Sequence, residues 1–322
     1  MSKRAASFLG LFILFLPVSF AFSAETWHLG KGEDWEAVSV EGGDRYLLAV
    51  AEVKRLVSEG QSGAVGEALN KLKKDFPEIA GPDLDAFFEA EMLFSAGKYS
   101  GANRGYEKFL EKYPDSELYD AALERQYSIG TAFLAGERRR VLGIFNIRGY
   151  AVGAKIMEGI SERAGESPIG LKAVSSMARS YERRGKFSEA YYKWSEISLR
   201  WPGGRSGKES LVGMARCKHA GYKGPKYDVS DLISAESYYG SFESRYPEDA
   251  REIDVGGILK QIEEQLAYKQ FSIGEYYQKT GNMQAANLYY QMVLDKWSGS
   301  TAAKLARAES EAGSIKPEKV KR

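Results

Sequence analysis

The stretch AGKYSGANRGYEKFLEKYP, residues 96–114, decides the fold. Gly97 supplies a sharp turn that ends one helix, because a residue without a Cβ enters left-handed backbone at no steric cost. From Lys98 to Lys112, small or apolar residues fall at Ala102, Tyr106, Phe109 and Leu110, a helical spacing with one inward face. Pro114 stops that helix, since it lacks an N–H and clashes with the preceding turn. The segment reads as the second half of a helix hairpin.

The same grammar recurs in EGQSGAVGEALNKLKKDFP (59–77), RGKFSEAYYKWSEISLRWP (184–202) and TGNMQAANLYYQMVLDKWS (280–298). Gly60, Gly97, Gly185 and Gly281 precede Pro77, Pro114, Pro202 and Ser298 by the same 17 residues, 97 to 114 for example. The inward positions elsewhere are Val65, Leu69 and Leu72, then Ala190, Trp194 and Ile197, then Ala286, Tyr290 and Leu294. A small residue lets two helices approach, and the bulky ones that follow fill the space to the next hairpin. In the preceding helices the close crossings fall at Val53, Ala90, Ala178 and Gly274, followed three residues later by Leu56, Leu93, Tyr181 and Tyr277. This pattern resembles the tetratricopeptide repeat (TPR).

Two further units carry insertions. Ala235, Tyr239, Phe242 and Pro247 repeat the offsets of Ala102, Tyr106, Phe109 and Pro114, and GYKGPKYDVS (221–230) separates them from a partner helix around Ser206–His219. Leu118–Ala135 and Tyr150–Arg163 form another pair around GERRRVLGIFNIRG (136–149). The expected fold is an all-α, TPR-like α-solenoid over residues 46–314, with about six helix hairpins stacked in a row and the first helix of each lining a concave face. Ile253–Lys279 reads as an elongated helix and Thr301–Ala312 as a cap. Residues 24–45, with Trp27, Trp35, Val38 and Val40 between glycines, read as an N-terminal arm that is irregular or a short β-hairpin, and residues 315–322 as a disordered tail.

The chain starts with Lys3 and Arg4, then runs uncharged from Ala5 to Phe22, and Ala21 and Ser23 set small residues before a cut ahead of Ala24. That order is a secretory signal peptide, residues 1–23, so export to the periplasm is expected. The only cysteine is Cys217, so the apolar run is followed by no acceptor for a bacterial lipid anchor. A formal charge of +1 in 322 residues argues against nucleic acid as a partner. One Cys and two His cannot build a Cys/His zinc cluster, and neither GxSxG, GxxxxGK[ST] nor HExxH occurs, so the sequence implies no cofactor and no enzyme.

QLAYKQFSIGEYYQKTGNMQAANLYYQMVLDKW (265–297) resembles the last repeat of the BamD family, and AGKYSGANRGYEKFLEKYPDSELYDAALERQYSIGTAFL (96–134) is similar to its opening repeat. The likeness runs from about residue 83 to 314. It implies a periplasmic helical scaffold of outer-membrane β-barrel protein assembly, whose partners are the barrel-forming subunit of that machinery and unfolded outer-membrane proteins. The chain departs from the family in having no lipidated Cys after the leader and Gln265 where the family carries a basic residue. Attachment would then come through partners, peripherally at the outer membrane. The alternative is a TPR adaptor in another envelope complex, for cell division or polysaccharide export.

Repeat solenoids lay extended peptides along their first helices. The repeat register points to Leu84, Phe87, Glu91 and Phe94 in one hairpin and Glu124, Tyr127 and Thr131 in the next as groove candidates. Arg138, Arg139 and Arg140 before an apolar loop form a basic rim for a membrane surface or an acidic partner. Gln265, Glu275 and Tyr276 complete the docking candidates. The competing reading of the aromatic positions is core between repeats.

Overall fold

The computed structural model describes residues 27–29, 35–37, 42–77, 81–141 and 145–314. The signal peptide expected at 1–23 and the tail at 315–322 lie outside the described residues. Strands β1 (Trp27–Leu29) and β2 (Trp35–Ala37) pair antiparallel within the expected N-terminal arm. Helices then follow in pairs: α1 (Gly42–Ser58) with α2 (Ser62–Asp75), α3 (Pro82–Ser95) with α4 (Tyr99–Lys112), and α5 (Tyr119–Ala135) with α6 (Tyr150–Ala164). Between α5 and α6 lie β3 (Arg138–Val141) and β4 (Phe145–Arg148). The row continues with α7 (Pro168–Arg183) and α8 (Phe187–Arg200), then α9 (Gly204–Gly221) and α10 (Ser230–Arg245). After the short α11 (Pro247–Glu252) come α12 (Val255–Lys279), α13 (Met283–Lys296) and the cap α14 (Thr301–Ser314).

The period has a backbone cause. Gly60, Gly97, Gly185 and Gly281 all have φ between 68° and 83°, the left-handed turn that separates the two helices of a hairpin. The second helices α2, α4, α8 and α13 close on an aromatic residue in extended-side backbone, φ near −130°, at Phe76, Tyr113, Trp201 and Trp297. A following proline disfavours helical backbone in the residue before it.

The inward sets are buried: Val65, Leu69 and Leu72 in α2, Ala102, Tyr106, Phe109 and Leu110 in α4, Ala190, Trp194 and Ile197 in α8, Ala235, Tyr239 and Phe242 in α10. In α13 the third inward residue is Val293, which stands where Phe109 stands in its repeat. Leu294, one step round the helix, is half-buried. Second helices pack on the first helix of the following hairpin, α4 on α5, α6 on α7 and α8 on α9.

Three features depart from the sequence reading. The insertion at 136–149 was expected as a loop and instead contains a two-stranded ladder pairing Arg138 with Arg148 and Val141 with Phe145. Helix α1 starts at Gly42, four residues ahead of the expected start of the solenoid at 46. The first hairpin also does not continue the row: α2 lies on α3, but α1 packs on α5, with Lys54 bridging to Glu117 just ahead of α5 at 3.4 Å.

Candidate functional site

Successive first helices are joined by a line of polar side chains. From α5 to α7, Glu124 faces Lys172 at 3.8 Å, and the Tyr127 and Ser176 hydroxyls share a hydrogen bond at 3.0 Å. Between α7 and α9, Arg179 pairs with Glu209 at 2.5 Å and Arg216 reaches both oxygens of Glu182 at 3.1 Å. His219 of α9 meets Gln265 of α12 at 3.0 Å, and Gln278 of α12 donates to Glu309 of α14 at 2.7 Å. Most of these groups are partly exposed: Lys172, Arg179 and Arg216 are about half open to solvent. Positive and negative groups alternate along one face, which offers donors and acceptors to an extended chain without a dominant charge.

Glu182 is the most connected member. It accepts from the Trp194 indole N–H at 2.8 Å and lies 3.3 Å from the Cys217 thiol, besides holding Arg216. Burial first, and the nearby Glu182 charge second, push the Cys217 thiol well above its ordinary range, so it stays protonated and unreactive.

The groove candidates divide. Leu84, Phe87 and Glu91 are at most 1% exposed and cannot meet a ligand, a correction to their assignment. Phe87 packs against Tyr106 and Phe109 with ring centroids 5.6 Å away. Both oxygens of Glu91 are used. One accepts from Arg125 Nη2 at 2.7 Å, and the other from Arg125 Nε at 2.9 Å and Tyr106 OH at 2.6 Å. The Arg125 guanidinium also lies over the Phe94 ring, 4.4 Å from its centroid, so Phe94 is half-buried packing rather than an open contact. This clamp ties α3, α4 and α5 together. Burial, reinforced by the Glu91 charge, pushes the Tyr106 phenol far up. Glu124 and Tyr127 do lie on the polar line, and Thr131 is exposed beyond it.

Among the docking candidates, Arg138 is exposed at the start of β3; Arg139 and Arg140 follow it in the ladder, and their side chains lie outside the description. Gln265 is engaged with His219, the partner that sequence spacing did not reveal. Tyr276 is 63% exposed, while Glu275 is half-buried 3.7 Å from Lys279. No three metal-ligating side chains gather among the described residues, and no described helix is long and apolar enough to cross a membrane.

By its period, its glycine turns and its paired helices, the chain is a tetratricopeptide-like α-solenoid. Residues 89–116, covering the end of α3, all of α4 and its closing proline, match the tetratricopeptide repeat. No curated protein is significantly similar in sequence. Similar solved structures include PilW, a widely conserved type IV pilus biogenesis factor, at 15% identity and TM-score 0.34, over 81% of this chain and 97% of that one. The C-terminal part of a TPR repeat-containing protein from Cytophaga hutchinsonii aligns at 14% identity and TM-score 0.25, over 80% and 98%. Human IFIT1, solved as a dimer with m7Gppp-AAAA, aligns at 14% identity and TM-score 0.25, over 84% and 81%. Superpositions this loose carry no inference about ligand.

Proposed function

We propose that this chain is an exported, non-enzymatic scaffold that binds proteins during outer-membrane β-barrel assembly, in the manner of the BamD family it resembles. The observation that carries the reading is the line of half-exposed polar residues from Glu124 through Lys172, Arg179 and Arg216. It runs across successive hairpins, as an extended client would need. The resemblance of residues 265–297 and 96–134 supplies the system: the barrel-forming subunit and unfolded outer-membrane proteins as partners, in the periplasm and peripheral at the outer membrane through contacts with those partners.

Copurification from detergent-solubilised envelopes tests this. The barrel-forming subunit is expected with the wild-type chain and at reduced yield with Lys172→Glu combined with Thr131→Trp. Recovery of division or polysaccharide-export proteins instead would replace this reading with that of an adaptor in another envelope complex.

A further inference from the structure

The repeat register makes one face of α3 anomalous. Counted back from the turn glycines Gly185 and Gly97, Ala173, Val174, Met177 and Ser180 of α7 correspond to Asp85, Ala86, Glu89 and Met92 of α3. In α7 all four are buried, with α5 and α6 packed on that helix. In α3 none of them is buried: Asp85 meets α2 through an ion pair with Lys73, and Met92 is 52% exposed. The first hairpin, which a regular row would stack there, has α1 on α5 instead.

What remains is an open cleft of about 650 Å³ between α3 and α4. Its floor is low and mostly apolar, with Ala86, Ala90, Leu93 and Gly101. Its α4 rim carries Lys98, Arg104, Lys108 and Lys112, all exposed, against one carboxylate, Glu89. None of these four cations pairs with a carboxylate among the described residues; Lys112 only lies over the Tyr113 ring, 5.0 Å from its centroid. Elsewhere on the surface cations are commonly paired, as at Arg55, Lys193 and Arg200.

We propose that this cleft is a docking site for an acidic, amphipathic α-helix of a partner protein, which covers the part of α3 and α4 that the displaced α1 leaves open. Two antiparallel helices present a groove that a third fills with its ridges. The excess of unpaired positive charge along the α4 side selects a helix with carboxylates on the flank facing α4 and small or apolar residues on the ridge. This surface is distinct from the polar line of the first helices and stands whether or not that line binds a client.

The test uses the full chain and a labelled synthetic helix with an Ala/Leu ridge and a Glu flank, read by fluorescence anisotropy. Two comparison peptides separate the terms: one with Gln for every Glu, and one of the same composition in scrambled order. The acidic helix is expected to bind, and Arg104→Glu with Lys108→Glu to weaken it about tenfold or more. The same charge change on α14, Lys304→Glu with Arg307→Glu, should leave binding unchanged. Ala86→Trp, which fills the cleft without altering charge, should also weaken binding. Equal binding of the scrambled or Gln peptide, or equal loss from the α14 pair, would overturn the proposal. A photo-cross-linker at Met92 that attaches to the chain's own residues 25–41 would also overturn it, by showing the cleft already occupied from within.

Discussion

At the scale of single residues, the Glu91–Arg125 pair is the highest-stakes contact in the molecule. Both side chains are 1% exposed, so the charges have surrendered their hydration and, among the described residues, hold each other, Tyr106 OH and the Phe94 ring. Removing one partner leaves a buried, uncompensated charge, so Arg125→Met should destabilise the protein by about 3–5 kcal/mol. Replacing both, Glu91→Leu with Arg125→Met, should recover most of that loss, because two desolvation costs vanish together. Urea unfolding of the three proteins measures it; a single variant within about 0.5 kcal/mol of wild type would refute the view of this pair as a clamp. The helical spacing of Phe87, Glu91 and Phe94 was legible in the sequence, but the direction in which that face points was not. A signal was present on the other side: Arg125 is a cation among Ala121, Ala122, Leu123 and Ile129, and a cation on an apolar face needs a buried acid.

Between elements, the closeness of α5 and α6 depends on Gly153. A Cβ there would stand 2.9 Å from the Gly130 carbonyl oxygen and 2.9 Å from the Leu134 backbone nitrogen, neither of which can rotate away. Gly153→Ala should therefore push the helices apart and cost about 1–3 kcal/mol, despite the gain in helix propensity. Gly240 in α10 provides the opposite case: its added Cβ meets nothing within 4 Å, so Gly240→Ala should stabilise by about 0.5–1 kcal/mol. Opposite shifts in melting temperature are expected, and shifts of one sign would show that backbone proximity does not govern this crossing. The hairpins were readable because turn glycines and closing prolines act locally. The β3–β4 ladder was not, because 136–149 contains no short-turn signal of the Asn-Gly kind. Its pairing follows from closure between α5 and α6, where the Gly149 N–H donates to the Glu137 carbonyl at 2.9 Å. The displaced first hairpin was equally illegible, since periodicity tells which face of a helix turns inward but not which neighbour covers it.

Across the whole molecule, the repeated use of tyrosine at the second-helix core position gives the solenoid a shared sensitivity to alkali. Burial leads the causes that raise Tyr106 in α4 and Tyr239 in α10, and pushes Tyr290 in α13 up to about 12. Tyr238, the residue just before Tyr239 in α10, also rises to about 12, through burial and then its hydrogen bond with Tyr191. An unfolded phenol ionises near 10, whereas these remain protonated in the fold, so between the two values the unfolded chain binds fewer protons. The stability they contribute is fully present below pH of about 10 and is lost as pH rises through about 12. Because these tyrosines sit in different hairpins, α4, α10 and α13, the loss falls on several interfaces at once rather than on one. Melting temperature should decline across that window, and Tyr238→Phe with Tyr290→Phe should flatten the decline while lowering the neutral-pH value, since Tyr290 OH also donates to Gln278 at 2.5 Å. Thermal melts paired with tyrosinate absorbance measure both effects. A wild-type melting temperature that stays level through the window, or native tyrosines that all ionise like free phenol, would mean that these hydroxyls are not held by the fold.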